Sequence, residues 1–392
     1  MDAEKKLIPD RVSTLLWGGL LAVFGVVLIA VFARGNDGSR FSVRAGEPPT
    51  IALAEGTEKL FTPQGIPEAP SLAPDGKSLA YATQVYKDDL FDYAIQSAWL
   101  AEPAADGSWR QSLLAGGRRT FFGEMETYFN PTFDAHEENV IMGSARFWNI
   151  LGIPLLPTLR KALDVYPLGQ GHRQSIVTPE ELAIPMEALQ HPKISPDGNW
   201  LAFYTRRRIE SRGIYLLHLQ SRKLYRISAE DDKHPTWTPD GKRLLFHYQR
   251  GGDALDPVPK DFPEQAYLGY FELSFKGEDD VSWRRFLIDP ITDAYTYNKH
   301  PTLVPGTDLL FFHTRLSPKG RHLLMVRRLG VNTPVYLVSP AFEGAAMREI
   351  KHPAASVFTQ ELFFLGKAAD EKLYSFYRLT DEALKTLQSQ VR

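Results

Sequence analysis

The 392-residue sequence contains no cysteine. Disulfide bridges, thiolate metal sites and cysteine nucleophiles are therefore excluded, and both oxidising and reducing compartments stay open. The chain also lacks a charge imbalance, since 45 basic residues stand against 47 acidic ones and the net charge is -2. Because no overall field would attract nucleic acid or an anionic surface, we expect no nucleic-acid partner and local recognition of any other partner.

Familiar catalytic motifs are also missing. The sequence has no Gly-x-Ser-x-Gly nucleophile elbow, no phosphate-cradling glycine loop and no His-Glu-x-x-His metal motif. Adjacent acids such as Asp88-Asp89 and Asp279-Asp280 lie in turn-like contexts, where solvated loops are far commoner than catalytic pairs. We therefore expect a protein that is not an enzyme and that carries no cofactor.

A single long apolar run is present, LLWGGLLAVFGVVLIAVFA at residues 15–33. Its nineteen uncharged residues approach the roughly 20 that an α-helix needs to cross a bilayer. The alternative is a cleaved signal peptide with Val31-Phe32-Ala33 as its cleavage site, although the apolar core of a signal peptide is typically about 7–15 residues long. We predict a short tail at 1–14 and a retained transmembrane helix at 15–33, which makes the lipid bilayer a partner.

The rest of the chain is organised by an internal repeat. Residues 191–205 read HPKISPDGNWLAFYT, and residues 234–248 read HPTWTPDGKRLLFHY. Each copy joins two β-prone segments through Pro-Asp-Gly, in which proline presets φ and glycine tolerates a positive φ, as in a β-hairpin. Two more strand-like segments, 213–219 and 223–228, follow the first copy. One period thus contains about four strands, the content of a propeller blade.

Four looser copies become visible once this template is known. The six repeat prolines stand at positions 70, 131, 192, 235, 301 and 353. Their spacing of 43 to 66 residues fits a blade of roughly 40–50 residues with loop insertions in the longer intervals. We predict an all-β, six-bladed propeller at 58–380, closed by a strand near Lys59–Thr62 that pairs with the last blade. A seventh blade would need another repeat hidden in a 61- or 66-residue interval.

At these residues the chain resembles the TolB-like propeller repeat, whose hallmark is Pro-x-Trp-Ser-Pro-Asp-Gly before a hydrophobic strand. Pro192–Phe203 and Pro235–Phe246 match it closely, Pro70–Tyr81 matches it well, and the other three copies are degenerate. The resemblance implies export across the bacterial inner membrane, with a single-pass anchor and the propeller in the periplasm. The basic residues do not predict which end of the helix faces the cytoplasm, because three of them flank the apolar run on each side.

Two short segments flank the predicted propeller. Residues 34–57 begin with a stretch rich in Gly, Ser, Asp and Pro, which predicts a flexible stalk. Residues 381–392 carry spaced apolar residues behind Thr380 and Asp381, either of which would cap a short helix. We therefore predict a C-terminal helical tail.

The repeat places histidine at one equivalent position in four consecutive blades, immediately before the repeat proline. These residues are His191, His234, His300 and His352, with Asn130 at the equivalent place in the second blade and Ala69 in the first. Because this position opens the innermost strand, we expect an arc of side chains at one mouth of the central channel. Such an arc would bind a metal, a carboxylate or a proton-linked partner. Alternatively the histidines brace neighbouring blades, since no carboxylate at fixed spacing accompanies them to orient metal ligands, and we assign no metal site.

The second blade carries an apolar insertion, RFWNILGIPLLPTLRKALDVYPLG at 146–169, whose prolines prevent one long helix. The insertion either packs on its own blade or exposes an apolar patch for a membrane or protein partner, since monomers seldom leave such patches open. The candidate contacts are Phe147, Trp148, Ile150, Leu151, Ile153, Leu155 and Leu156. On the second interpretation, replacing Phe147 and Trp148 with serine weakens partner binding and leaves the fold intact.

Two functions of different classes follow. The first is a non-enzymatic scaffold: a membrane-anchored propeller that docks on other proteins as an accessory or assembly subunit of a bacterial membrane or envelope complex. The alternative is a small-ligand- or metal-binding protein, or a hydrolase, that acts at the channel mouth through the histidine arc. No complete set of nucleophile and base favours the alternative, and a fold alone does not determine function.

Overall fold

A computed structural model describes residues 48–88, 93–155, 158–169, 173–184, 188–205, 210–250, 265–288, 297–316, 320–330 and 333–392. Within these ranges the chain is built almost entirely from β-strands. None of the helices found there is long and apolar enough to cross a membrane. The transmembrane helix predicted at 15–33 and the first part of the predicted stalk lie outside the described residues.

The strands form six sheets, one for each blade, after two N-terminal strands, β1 (Thr50–Leu53) and β2 (Thr57–Phe61). Blade 1 contains β3 (Ile66–Leu72), β4 (Leu79–Asp88), β5 (Tyr93–Pro103) and β6 (Trp109–Ala115). Blade 2 contains β7 (Phe122–Phe133), β8 (Asn139–Ile150), β9 (Ile153–Pro154), β10 (Arg160–Pro167) and β11 (Gln174–Val177). Blade 3 contains β12 (Gln190–Ile194), β13 (Trp200–Thr205), β14 (Gly213–His218) and β15 (Leu224–Arg226).

The remaining blades follow the same order. Blade 4 contains β16 (Asp232–Trp237), β17 (Arg243–Arg250), β18 (Gln265–Phe275) and β19 (Val281–Leu287). Blade 5 contains β20 (Lys299–Leu303), β21 (Leu309–Thr314), β22 (Leu323–Arg328), β23 (Tyr336–Phe342) and β24 (Ala345–Ala346). Blade 6 contains β25 (Glu349–Ala355), β26 (Leu362–Lys367) and β27 (Ser375–Leu379), and the helix α1 (Asp381–Gln390) follows. The all-β, six-bladed propeller is thus present in the described residues.

The N-terminal strands close the ring. β2 pairs antiparallel with β27 and becomes the outermost strand of blade 6, which confirms the closing strand predicted near Lys59–Thr62. β1 pairs in parallel with β23 of blade 5. The stalk prediction is therefore wrong for residues 50–57, because Ile51 and Leu53 alternate with exposed neighbours and bury their side chains in the core as strand residues do.

The hydrophobic core is divided among the blade interfaces. Six clusters of buried apolar residues each draw on two neighbouring blades, as Trp200 of blade 3 and Trp237 of blade 4 illustrate. Helix α1 adds Leu384 and Leu387 to the cluster between blades 5 and 6. Thr380 caps the helix, since its hydroxyl accepts the Ala383 N–H at 3.2 Å. The C-terminal tail is therefore part of the packed domain.

In blades 1 and 2 both strands of one hairpin are long, whereas in blade 4 only β18, with 11 residues, is of similar length. β4, β5, β7 and β8 have 10, 11, 12 and 12 residues, whereas β13 and β14 of blade 3 have 6 each. The extra length lies on the N-terminal side of the residue before the repeat proline, since β4 runs past the start of β3 in blade 1 and β7 already begins at Phe122 in blade 2. We call residues 84–88, 93–97, 118–128 and 145–155 the hairpin arm.

Candidate functional site

Every blade has a β-bulge at the same place in its innermost strand. The pairing register with the second strand shifts there, and the residue before the repeat proline has a positive φ of 46 to 54°. These residues, which we call the bulge ring, are Ala69, Asn130, His191, His234, His300 and His352. A β-bulge changes the direction of a side chain and interrupts the hydrogen bonds between the two strands. Proline is tolerated after the bulged residue because proline has no N–H to donate to those hydrogen bonds.

The bulge ring lines a central cavity of about 70 Å³ together with the repeat prolines. The structure brings the four sequence-predicted histidines together. Ring centroids are 3.8 Å apart for His191 and His234, 4.0 Å for His234 and His300, and 4.3 Å for His300 and His352. Asn130 completes the arc, because its Nδ2 lies 2.8 Å from His191 Nε2.

Three further histidines that sequence reasoning missed extend this group. His247 lies 4.6 Å from His234, His313 lies 5.0 Å from His300, and His322 lies 5.0 Å from His313, measured between ring centroids. His247 and His313 both stand twelve residues after a repeat proline, a position that Tyr204 occupies in blade 3. An alignment of the repeats on their prolines would therefore have found two of the three. Seven of the ten histidines in the sequence thus belong to one channel cluster.

The histidine rings contact groups from neighbouring blades. His234 Nδ1 and His300 Nδ1 are 3.0 Å apart, and His313 Nδ1 accepts the backbone N–H of His352 at 3.1 Å. Tyr204 stacks on His191 and on His234, with centroid distances of 5.7 and 5.4 Å. These contacts join blades 3 to 6 around the channel, as the bracing interpretation requires.

The channel disfavours positive charge on the histidines. Burial lowers the pKa of five of them well below 6.5, and nearby lysines and other histidines lower it further; these are His234, His247, His300, His313 and His352. Burial also lowers the pKa of His322 to about 4. These six imidazoles are therefore neutral at physiological pH.

Metal coordination finds no support in this arrangement. Throughout the described ranges, no group of three or more His, Asp or Glu side chains is placed to hold one metal ion. The imidazole rings of the bulge ring meet at tilted and edge-to-face angles, whereas metal ligands aim their nitrogens at one point. What the cluster offers chemically is a set of neutral donors and acceptors around a small cavity.

The apolar insertion of blade 2 divides into buried and exposed residues. Phe147 is only 6% exposed and packs with Ile95 and Met125, so it belongs to the core of the hairpin arm. The prediction that Phe147 contacts a partner at the surface is therefore wrong. Trp148, Ile150 and Leu151 are 53%, 49% and 54% exposed. The other two described candidates, Ile153 and Leu155, are half-buried, and Leu156 lies outside the described residues.

Two phenylalanines outside the predicted insertion join the exposed group. Phe121 and Phe122 are 64% and 62% exposed, and their ring centroids are 5.1 Å apart. Phe122 pairs with Ile150 across the hairpin, so the two side chains share one face, which Trp148 also shares two residues along β8. We call these five residues the apolar tip: Phe121, Phe122, Trp148, Ile150 and Leu151.

The apolar tip is held in shape by Asn149, which is fully buried. Its Nδ2 donates to Thr120 Oγ1 at 2.9 Å and to the Gly123 carbonyl at 2.8 Å, and its Oδ1 accepts the Gly152 N–H at 3.1 Å. One amide therefore ties together the two segments, 118–128 and 145–155, that carry the exposed side chains. A surface fixed in this way loses little conformational entropy when a partner binds.

Comparisons with known proteins bear on the fold. No family model matches the sequence, and no curated protein sequence matches it. The structure is similar to a Trypanosoma rangeli sialidase in complex with sialic acid, at 11% identity and a TM-score of 0.51, over 87% of this chain and 61% of that chain.

Two more solved structures are similar at 10% identity. They are a puromycin hydrolase, with a TM-score of 0.46 over 84% of this chain and 55% of that chain, and the β-propeller domain of Myceliophteria thermophila Cps50 (Swd1), with a TM-score of 0.45 over 83% of this chain and 100% of that chain. The chain thus spans little more than half of the hydrolase. At such identities the likeness concerns fold alone: the chain is an all-β, six-bladed propeller, and its function has to be argued from its own surfaces.

Proposed function

We propose that the protein is a non-enzymatic scaffold that docks on other proteins of a bacterial membrane or envelope complex through the apolar tip. The observation that carries this proposal is the grouping of five large, exposed apolar side chains on one preformed hairpin. Exposed apolar patches on soluble domains mark interaction sites, and Trp and Phe are enriched at the centres of protein interfaces.

The charges around the apolar tip favour a protein partner over a lipid surface. On the same face of the hairpin, Arg146 lies 3.6 Å from Glu126, and Arg118 lies 3.6 Å from Glu124. These charges are paired and of both signs, whereas surfaces that bind anionic lipid carry an excess of lysine and arginine. An apolar centre with a mixed polar rim is the usual anatomy of a protein interface.

The sequence adds a tether to this surface. The apolar run at 15–33 supports an anchor in the inner membrane, and the repeat supports a TolB-like propeller in the periplasm. Tethering raises the effective concentration of the propeller next to a membrane partner. The protein would then act as an accessory or assembly subunit without catalysis of its own.

Serine substitutions in the apolar tip test the proposal. In the full-length protein, Phe122→Ser with Trp148→Ser is expected to weaken co-purification of partners from native membranes, because truncating one buried aromatic anchor costs about 2 kcal/mol or more, roughly thirtyfold in affinity. Phe147 is left intact because it is buried in the arm. The matched control, Trp283→Ser with Phe358→Ser, removes one exposed Trp and one exposed Phe from blades 4 and 6 and is expected to change nothing.

Two results would contradict the proposal. One is unchanged co-purification by the tip variant; the other is an equal loss in tip and control variants. The melting temperature of the tip variant is expected to match the wild type, since all its substitutions are at exposed positions.

A further inference from the structure

The channel contains a second ring of side chains, two residues after the bulge ring in each blade. Its members are Ser71, Thr132, Lys193, Thr236, Thr302 and Ala354. Four of the six are hydroxyl residues, and Ser71, Thr132 and Thr302 are buried. Lys193 is the charged member of this hydroxyl ring.

Lys193 stands between two cavities of about 70 and about 60 Å³. Both cavities are lined by Ser71, Lys193 and Thr236, so they adjoin at this level of the channel. A cavity needs about 10–15 Å³ on this measure to hold one water molecule. Each compartment therefore has room for a ligand of several non-hydrogen atoms.

The ammonium group of Lys193 has a hydroxyl partner and no acidic one. Its Nζ donates to Ser71 Oγ of blade 1 at 3.3 Å, and Ser71 Oγ lies 3.1 Å from Thr132 Oγ1 of blade 2. Across the described ranges no carboxylate forms an ion pair with Lys193. Lys193 is half-buried as a residue, and desolvation of its ammonium group lowers its pKa to about 8, because a desolvated cation without a counter-ion is costly.

Charged groups of both signs stand around this part of the channel: Asp134 lines the second cavity, and Glu68 and Glu349 act on Lys351. Lys299 and Lys351 act on the histidines of the bulge ring, and both lower the pKa of His352. His352 Nδ1 is buried without a hydrogen-bond partner, although the His352 side chain lines the same cavity as Lys193. Lys193 nevertheless lines both cavities without an ion pair among the described residues, and His352 Nδ1 is a donor or acceptor that lacks a partner.

We propose that the channel binds one small monovalent oxyanion, of the size of formate, nitrate or acetate, between Lys193 and the bulge ring. The ammonium of Lys193 neutralises the anion, Ser71 Oγ–H donates a hydrogen bond to it while Thr132 Oγ1–H donates to Ser71 Oγ, and His352 Nδ1–H donates from the bulge ring. Access is easiest past Ala69, where the ring has only a methyl group. This site is independent of docking through the apolar tip.

Calorimetric titration of the full-length protein with sodium formate, acetate and nitrate tests the site. One saturable site per chain is expected near pH 7, and its affinity should fall about tenfold per pH unit above about pH 8, as Lys193 loses its proton. Lys193→Met keeps the length of the side chain and removes the charge, so at least a tenfold loss of affinity is expected. The control, Lys77→Met, removes an exposed lysine and should leave the affinity unchanged.

The absence of saturable binding for all three anions in the wild type would overturn the proposal. Equal affinity in Lys193→Met and wild type would also overturn it, because the anion would then bind elsewhere. If Lys193→Met does not fold, Ser71→Ala with Thr132→Ala replaces it: a threefold or greater loss of affinity supports the site, and unchanged affinity rejects it.

Discussion

The first two blades and the last four share one backbone device and use it differently. All six inner strands bulge before the repeat proline and hold a non-glycine residue at positive φ. In blades 3 to 6 that residue is a histidine, and the imidazoles pack across the channel; in blades 1 and 2 it is Ala69 or Asn130, and the hairpin arm presents the apolar tip at the surface. The difference indicates that the repeat fixes the backbone, while the departures from the repeat mark the surfaces available for function.

The two regions should also respond to different perturbations. The histidine region consists of buried groups that can titrate, so pH should destabilise it. The hairpin arm has a small apolar core of its own, centred on Ile95, Met125 and Phe147, so truncation should destabilise it. Its apolar tip should contribute to binding and hardly to stability.

The largest single-site effect is expected at Phe147. Phe147→Ala removes a buried ring that packs edge to face on Tyr93 at a centroid distance of 5.5 Å, and should lower the free energy of unfolding by about 3–5 kcal/mol. Trp148→Ala, one residue along the same strand, should change it by less than about 0.5 kcal/mol because Trp148 faces solvent. Urea unfolding of both variants measures the difference. Similar losses for the two variants would mean that the arm has no core of its own.

The second effect concerns pH and belongs to the histidine region. An unfolded histidine has a pKa near 6.5, whereas burial lowers the pKa of His247 and His313 well below that value in the folded protein. As pH falls below about 6.5, the unfolded chain therefore binds protons that the folded chain does not, and stability falls. From about pH 7.5 to about pH 5.5 each residue contributes about 1.4 kcal/mol, or about 3 kcal/mol for the pair.

A double variant isolates this contribution. His247→Leu removes a buried imidazole whose Nδ1 lacks a partner, and His313→Asn keeps an acceptor for the His352 N–H. Urea unfolding at the two pH values should show a pH dependence about 3 kcal/mol smaller in the variant than in the wild type. The same pH dependence in both proteins would show that these histidines take up protons without unfolding.

The smallest effect tests the shared bulge. Ala69 has a φ of 46°, a conformation that costs a non-glycine residue roughly 1–2 kcal/mol. Ala69→Gly should therefore raise the free energy of unfolding by about 0.5 kcal/mol, after allowance for the greater freedom of glycine in the unfolded chain. His300→Gly should lower it, because His300 contacts several other rings. Thermal unfolding should show a higher melting temperature for Ala69→Gly and a lower one for His300→Gly. A higher melting temperature for both variants would contradict the bracing role of His300.

Much of the fold follows from the repeat, but the site follows only in part. The six prolines and Pro-Asp-Gly turns predict six blades, and the histidine position predicts an arc. Phe147 and Trp148 are adjacent aromatics in a strand, so one faces inward and the other outward. Their sequence does not say which, because the choice depends on pairing with Met125 and Glu124 of β7.

Two other features escaped sequence reasoning for physical reasons. Phe121 and Phe122 precede the second repeat copy and reach Ile150 only through the long β7–β8 hairpin. Lys193 is an ordinary lysine in a strand, and only closure of the ring places it opposite Ser71 of blade 1. Both depend on contacts between segments that are distant in the chain.

Site-specific photo-crosslinking in native membranes tests docking through the apolar tip most directly. A photoreactive phenylalanine derivative replaces Trp148 in one full-length variant and Trp283, an exposed tryptophan of blade 4, in the other. The account predicts a discrete crosslinked membrane or envelope protein from position 148 and none from position 283. Crosslinks to lipid alone from position 148, or the same protein crosslinked from both positions, would contradict it.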